Sequence, residues 1–239
     1  MDWYSINHYT RCPFEKDGFI AMETIKKRYD ILGILMDVLI IIWGILGSFQ
    51  EIYHYTIGML TYYTTLSNLF VSLGCAFHLI YQLQQFREGK TTWWMQYIKY
   101  FGVCCMTITF FMVFLVLAPI SGEGGYYQYL WEGPLKYQHT ICPLLSMISF
   151  VFLDSREIKV SKSMMYASMI PTVAYALFSV TCNVLKILHG PYPFLYVYEQ
   201  PLYQSLLWGI LILGAAYGIG WGLYRLNGKV YGKYNRKES

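Results

Sequence analysis

Charge is what this chain has least of. Its 18 Lys and Arg and 14 Asp and Glu leave only 13% of 239 residues formally charged, about half the share of an ordinary soluble domain. With 56% of positions hydrophobic and 19% aromatic, the remaining charge cannot cover a water-soluble globule of this size. A cytosolic enzyme and a disordered chain are both excluded. The net charge of +4 is too small and too dispersed for nucleic-acid binding. The six cysteines contain no CxxC pair, and all but Cys12 lie in apolar stretches, where free buried thiols are expected. Zinc-ligand spacing, a glycine-rich phosphate loop and a GxSxG elbow are also missing, so neither a metal nor any other cofactor is expected. Met1 to Asp30 has no apolar core ahead of a small-residue cleavage site, so it does not read as a signal peptide.

Long apolar runs are abundant. Six stretches are long enough to cross a hydrocarbon core that takes about 20 helical residues: Ile31 to Phe49, Ile57 to Tyr81, Tyr97 to Pro119, Tyr137 to Leu153, Met164 to Leu188 and Leu202 to Leu226. With no alternating barrel pattern, each is expected to be a helix, which satisfies its own backbone in lipid. The fourth is short and contains Pro143.

The cations set the expected orientation. Arg11, Lys16, Lys26, Lys27 and Arg28 precede the first span, and Arg87, Lys90 and Lys99 sit in or beside the second connection. Arg156, Lys159 and Lys162 fill the fourth connection, and Arg225, Lys229, Lys233, Arg236 and Lys237 follow or end the last span. Only Lys136 and Lys186 fall on the opposite side. The positive-inside rule then predicts an all-α polytopic membrane protein of six transmembrane helices, N-in and C-in. A cytoplasmic N-terminal segment (1–30), the six-helix domain (31–226) and a basic cytoplasmic tail (227–239) follow. Trp93 and Trp94 on the inner side, and Tyr126, Tyr127, Tyr129 and Trp131 on the outer, suit headgroup anchoring. Gly122, Gly124, Gly125 and Gly133, placed among those outer aromatics, suggest a mobile cap between Ile120 and Lys136.

Polar residues inside the spans are the informative ones, because hydrocarbon makes them costly. On the second span, Thr61, Thr64, Ser67 or Asn68, and Ser72 form one stripe at helical spacing, with Thr65 beside it. Such a stripe serves either as interhelical glue or as a chemical wall. His139 opens the fourth span four residues before Pro143, which lacks an N–H and so leaves the His139 carbonyl free in an α-helical register. Thr64 and His139 fall in the outer half of the bilayer, where a hydroxyl and an imidazole would make a nucleophile and a general base. Asp37 and His78 are expected to pair in the inner half, Asp154 to mark the end of its span, and Pro171 to kink the fifth span.

Three segments together resemble one family. Tyr63-Thr64-Thr65-Leu66-Ser67-Asn68-Leu69, His139-Thr140-Ile141-Cys142-Pro143-Leu144 and Tyr192-Pro193-Phe194-Leu195 are similar, in order and spacing, to segments of the bacterial multi-pass relatives of the androgen-induced (FAR-17a-like) membrane proteins. The resemblance implies an intramembrane threonine hydrolase acting on fatty acid esters of hydroxy fatty acids or similar lipids, with Thr64 and His139 as the required pair. Tyr196 departs from the family pattern, in which an acidic residue commonly follows Tyr-Pro-Phe-Leu, and Thr65 offers a neighbouring hydroxyl.

The expected enzyme is thus a lipid ester hydrolase in a bacterial plasma membrane, with a membrane lipid ester as substrate and the bilayer as its surroundings. Thr64 is the expected nucleophile and His139 its base. Asn68 is the expected oxyanion donor, while Ser67, Thr65 and Tyr192 lie along the substrate site. Lys136 and Lys186 would hold a carboxylate or snorkel to headgroups. Glu132, His189, Tyr192 and Glu199 are the candidates to orient His139. The alternative is a non-catalytic lipid-binding protein or a small-solute transporter that uses the same polar residues to line a pocket.

Overall fold

The computed structural model describes residues 13–88, 92 and 94–235, with side chains at 28–85, 92 and 94–235. Cys12, Trp93 and the side chains of Arg11, Lys16, Lys26, Lys27, Arg87, Lys90, Arg236 and Lys237 lie outside that set. The protein is 84% helical, with no strand among the described residues. Helix α1 (Pro13–Tyr55) is followed by a 3₁₀ turn (Ile57–Thr61), α2 (Tyr63–Glu88) and α3 (Trp94–Ile120). Then come α4 (Gly125–Trp131), a π-helical turn (Tyr137–Ile141) leading into α5 (Cys142–Phe152), α6 (Lys162–Val184) and α7 (Leu202–Asn235).

Five helical stretches are long and apolar enough to cross a membrane: Arg28–Tyr55, Tyr63–Gln85, Trp94–Ile120, Lys162–Val184 and Leu202–Asn235. The expected fourth span is helical only from Leu135 through Phe152, so it falls just short of the roughly 20 residues that span a bilayer unaided. Near its start it stacks Tyr137 on Trp43 at 4.8 Å between ring centroids. It ends beside the start of the α1 span, where the Arg156 guanidinium lies 3.2 Å from the Tyr29 ring and 4.2 Å from that of Tyr234. The start of the first span, the end of α5 and the end of α7 therefore meet at one end of the bundle.

Prolines shape the helices in two ways. In α6, Pro171 follows an interruption of the helix at Ser168 and Met169, as expected of a residue that lacks an N–H and crowds the preceding turn. In α3 and at the start of α5, a π turn ends two residues before the proline: Val113–Leu117 ahead of Pro119, and Tyr137–Ile141 ahead of Pro143. The wider i→i+5 register puts Pro143 opposite the carbonyl of Gln138 rather than that of His139. The Gln138 carbonyl, left without a backbone donor, accepts from Asn68 Nδ2 at 3.3 Å.

Helices α2 and α3 form the tightest pair because glycines let the backbones touch. A Cβ at Gly74 would lie 2.7 Å from Lys99 Cα, and one at Gly102 would lie 2.7 Å from Val71 Cα. Around this crossing sits the core of Ile40, Val71, Cys75, Tyr100, Val103, Cys104, Met106, Cys142 and Phe150. Cys75, Cys104, Cys105, Cys142 and Cys182 are free and buried, as expected.

One cluster in this core carries charge. The expected Asp37–His78 pair is present at 2.7 Å, and Lys99 joins it. The Lys99 ammonium lies 2.5 Å from Asp37 Oδ1 and 2.6 Å from Asp154 Oδ2, and it donates to Ser149 Oγ at 3.0 Å. Lys99 and Asp37 are fully buried. Lys99, counted from sequence among the cations beside the second connection, therefore serves the interior, and Asp154 ends its helix by pairing inward. Four elements, α1, α2, α3 and the end of α5, are tied together at this point.

Candidate functional site

Thr64 stands at the first turn of α2, 5% exposed. Its hydroxyl is 3.2 Å from the phenol oxygen of Tyr192, which also accepts from the Thr64 backbone N–H at 3.3 Å. Tyr192 comes from the Tyr-Pro-Phe-Leu segment between α6 and α7, where it packs against Phe194 and Tyr62. Burial pushes the Tyr192 phenol up, so it keeps its proton. With the Thr64 N–H filling one lone pair on Oη, the phenol hydrogen is free to point at Thr64 Oγ1. Thr64's own hydroxyl hydrogen then remains to be given away.

Thr64 is one of the residues lining a narrow cavity of about 60 Å³. The lining is mostly apolar: Ile108, Met112, Val113 and Leu117 from α3, Ala176 from α6, Ile212 from α7, and Phe194 and Leu195 from the connection. Tyr63, Thr109, Thr172, Tyr175 and Tyr192 also line the cavity, but their hydroxyls present almost no polar surface to it. Most are spoken for within the protein: Tyr63 with Thr172 at 2.7 Å, Tyr175 donating to the Thr61 carbonyl at 2.9 Å, and Thr109 with Ser67 at 2.9 Å. An apolar chamber with satisfied hydroxyls suits an acyl chain better than a polar solute.

His139 is 4% exposed and belongs to the π turn ahead of α5. Its Nδ1 lies 2.8 Å from the Tyr129 carbonyl. A carbonyl only accepts, so Nδ1 carries the proton and the neutral ring keeps a lone pair on Nε2. The backbone of α4 therefore orients the imidazole, rather than Glu132, His189, Tyr192 or Glu199. His189 and Glu199 pair with each other at 2.6 Å on the surface, and Tyr192 serves Thr64. Thr140 donates to the neighbouring carbonyl of Leu130 at 2.9 Å. The glycine-rich connection expected as a cap is thus partly helical and bound to the π turn at two points.

Thr64 and His139 do not share a hydrogen bond, but Asn68 joins their neighbourhoods. Its Nδ2 donates to the Thr64 carbonyl at 2.9 Å and to the Gln138 carbonyl at 3.3 Å. Both amide hydrogens are used on backbone, so in this arrangement Asn68 staples α2 to the π turn. Ser67 likewise donates to the Thr64 carbonyl, at 2.9 Å. Thr65 points elsewhere: its hydroxyl donates to Glu51 Oε2 at 2.7 Å. The two expected external cations lie over tyrosine rings, Lys136 over Tyr137 at 5.1 Å and Lys186 over Tyr198 at 5.0 Å.

Sequence reasoning missed Glu51 and Gln138. Glu51 is 2% exposed and Gln138 fully buried, and both Gln138 side-chain polar atoms, Asn68 Oδ1 and Ser48 Oγ lack a protein hydrogen-bond partner. Ending the first span at Phe49 put Glu51 in a connection, although α1 runs on to Tyr55. The available signal was the i, i+3 spacing of Ser48 and Glu51 on one helical face. No group of three or more His, Cys, Asp or Glu among the described residues could hold a metal. The chain matches no protein-family model, no curated protein and no solved structure, so the reading of this site rests on its own geometry.

Proposed function

We propose that the chain is a six-helix membrane protein, N-in and C-in, that takes the acyl chain of a lipid ester into the α2–α3–α6 cavity and cleaves the ester at Thr64. The observation that carries this proposal is the position of the Thr64 hydroxyl. It is buried and held by Tyr192, and Thr64 lines a narrow apolar cavity of about 60 Å³ that widens to admit an acyl chain. The common end shared by Tyr29, Arg156 and Tyr234 supports an even number of crossings, with the short α5 counted among them.

His139 withdraws the Thr64 hydroxyl proton through Nε2, while its Nδ1–H stays on the Tyr129 carbonyl. Thr64 Oγ1 attacks the ester carbonyl, and the alcohol leaves with the proton that His139 returns. Water then attacks the acyl-threonine, giving a free acid and restoring the hydroxyl. Apo geometry in such sites is often looser than the reactive one. The hydrogen bond that Thr64 now makes to Tyr192 is exchanged for one to His139 when the ester enters. Lys136 or Lys186 holds the substrate's carboxylate at the outer interface. Fatty acid esters of hydroxy fatty acids fit this chemistry, and a bacterial plasma membrane is the proposed setting.

A second reading, a lipid-binding protein without turnover, is favoured by the Thr64–Tyr192 bond and by the full use of the Asn68 amide hydrogens. Fluorophosphonate labelling of the purified protein separates the two. Wild type should label and hydrolyse a lipid ester, Thr64→Ala and His139→Ala should do neither, and Thr65→Ala should retain labelling. Equal labelling of wild type and Thr64→Ala, with no ester turned over, refutes the hydrolase.

A further inference from the structure

At the end of the bundle where α7 leaves the apolar core, an open groove of about 670 Å³ is lined by Lys159, Arg225, Lys229 and Lys233, with Gly228, Gly232, Val160 and Tyr224 between them. Arg225, Gly228, Lys229, Gly232 and Lys233 follow the i, i+3, i+4, i+7, i+8 spacing of one helical face. All four cations are exposed, and among the described residues none forms an ion pair with a carboxylate. A Cβ at Gly228 or Gly232 would meet nothing within 4 Å, so the glycines open the floor between the charges.

The groove is preformed. Its far rim, Lys159 and Val160, is fixed by Asn227 of α7, which is fully buried. The Asn227 side chain accepts from the Val160 N–H at 2.8 Å and donates to the Ile158 carbonyl at 2.6 Å and to Ser155 Oγ at 3.0 Å. Such a satisfied amide locks the connection against the helix. At the apolar end, the Arg225 guanidinium lies 5.7 Å from the ring of Trp221, itself half exposed. An exposed Trp one turn before an Arg is an interfacial arrangement. The groove thus opens at headgroup depth, with hydrocarbon-facing surface directly above it.

We infer that this groove is a binding site for the phosphate of an anionic glycerophospholipid headgroup, whose acyl chains lie along α7. Four cations on one face supply the charge, and the exposed backbone between them leaves room for a phosphodiester to approach closely. The position at the membrane interface selects a lipid over a dissolved phosphate. The inference does not depend on chemistry at Thr64, because the groove shares no residue with the cavity.

Full-length protein in nanodiscs of phosphatidylcholine with one-fifth phosphatidylglycerol provides the test, with retained lipid counted by native mass spectrometry. Wild type should retain phosphatidylglycerol over phosphatidylcholine. Each cation near an anionic lipid surface is worth about a factor of five, so Lys229→Gln with Lys233→Gln should cut that preference about twenty-fivefold. Lys162→Gln, a charge loss at the same end but outside the groove, should leave it intact and shows that the loss is local. No preference in wild type, or a preference that survives Lys229→Gln with Lys233→Gln, overturns the proposal. So does displacement of the lipid by millimolar inorganic phosphate, which would make the ligand a soluble anion.

Discussion

Replacing Lys99 with methionine isolates the buried charge cluster. The substitution keeps length and apolar bulk but removes the ammonium that lies 2.5 Å from Asp37 and 2.6 Å from Asp154. Asp37 retains His78 at 2.7 Å, whereas Asp154 is left with no counter-ion among the described residues. Breaking a buried ion pair by removing one partner costs about 3–5 kcal/mol. For a chain of this size that corresponds to a fall in melting temperature of roughly 6–20 °C, taking about 2–4 °C per kcal/mol. The five free buried cysteines provide the readout, since a thiol-reactive dye reports their exposure as the detergent-solubilised protein is heated. The paired variant, Lys99→Met with Asp154→Asn, removes the orphaned charge and should recover at least half of the loss. A Lys99→Met protein melting within 2 °C of wild type (far below the loss worked out above), or a paired variant no better than the single one, would refute the assignment of the cluster as a structural lock.

Two further substitutions probe the packing. Gly74→Ala sets a methyl against the backbone of Lys99 and should cost about 1–3 kcal/mol by overpacking, whereas Gly214→Ala, with open space around it, should be neutral or gain up to about 1 kcal/mol from helix propensity. Equal effects in the same dye assay would contradict the close α2–α3 approach. Asn227→Leu orphans the buried Val160 N–H and Ile158 carbonyl and should cost about 2–4 kcal/mol; limited trypsinolysis after Arg156 or Lys159 should accelerate, and an unchanged cleavage rate would mean that Asn227 does not hold that connection.

Hydropathy and helical spacing carried much of the architecture and failed where register mattered. The apolar runs located the helices because lipid leaves the backbone no other way to satisfy itself. Asp37 and His78 were legible as partners because two ionisable groups at similar depth in hydrocarbon must find each other or water. Lys99 was not, because a cation five residues inside α3 looks the same in sequence whether it snorkels outward or turns to a carboxylate. At the site, the Thr64 stripe marked the right face of α2 without saying what it meets. Tyr192 comes from 128 residues away, and its partnership depends on how the last connection folds back. The Gln138 carbonyl, not that of His139, is the one freed by Pro143, because a π turn is decided by tertiary contacts that no local periodicity encodes.

That π turn means the facing of the imidazole is set by a residue count. An i→i+5 turn is an α-helix carrying one extra residue, so deleting Thr140 or Ile141 would restore ordinary winding into α5. Everything before the deletion, His139 included, would swing about 100° around the helix axis. The Tyr129 carbonyl and the Asn68 amide would then face different atoms, although neither residue had changed. Insertions and deletions of one residue at this turn, rather than point substitutions, are therefore the natural means of redirecting the base among chains built on this plan.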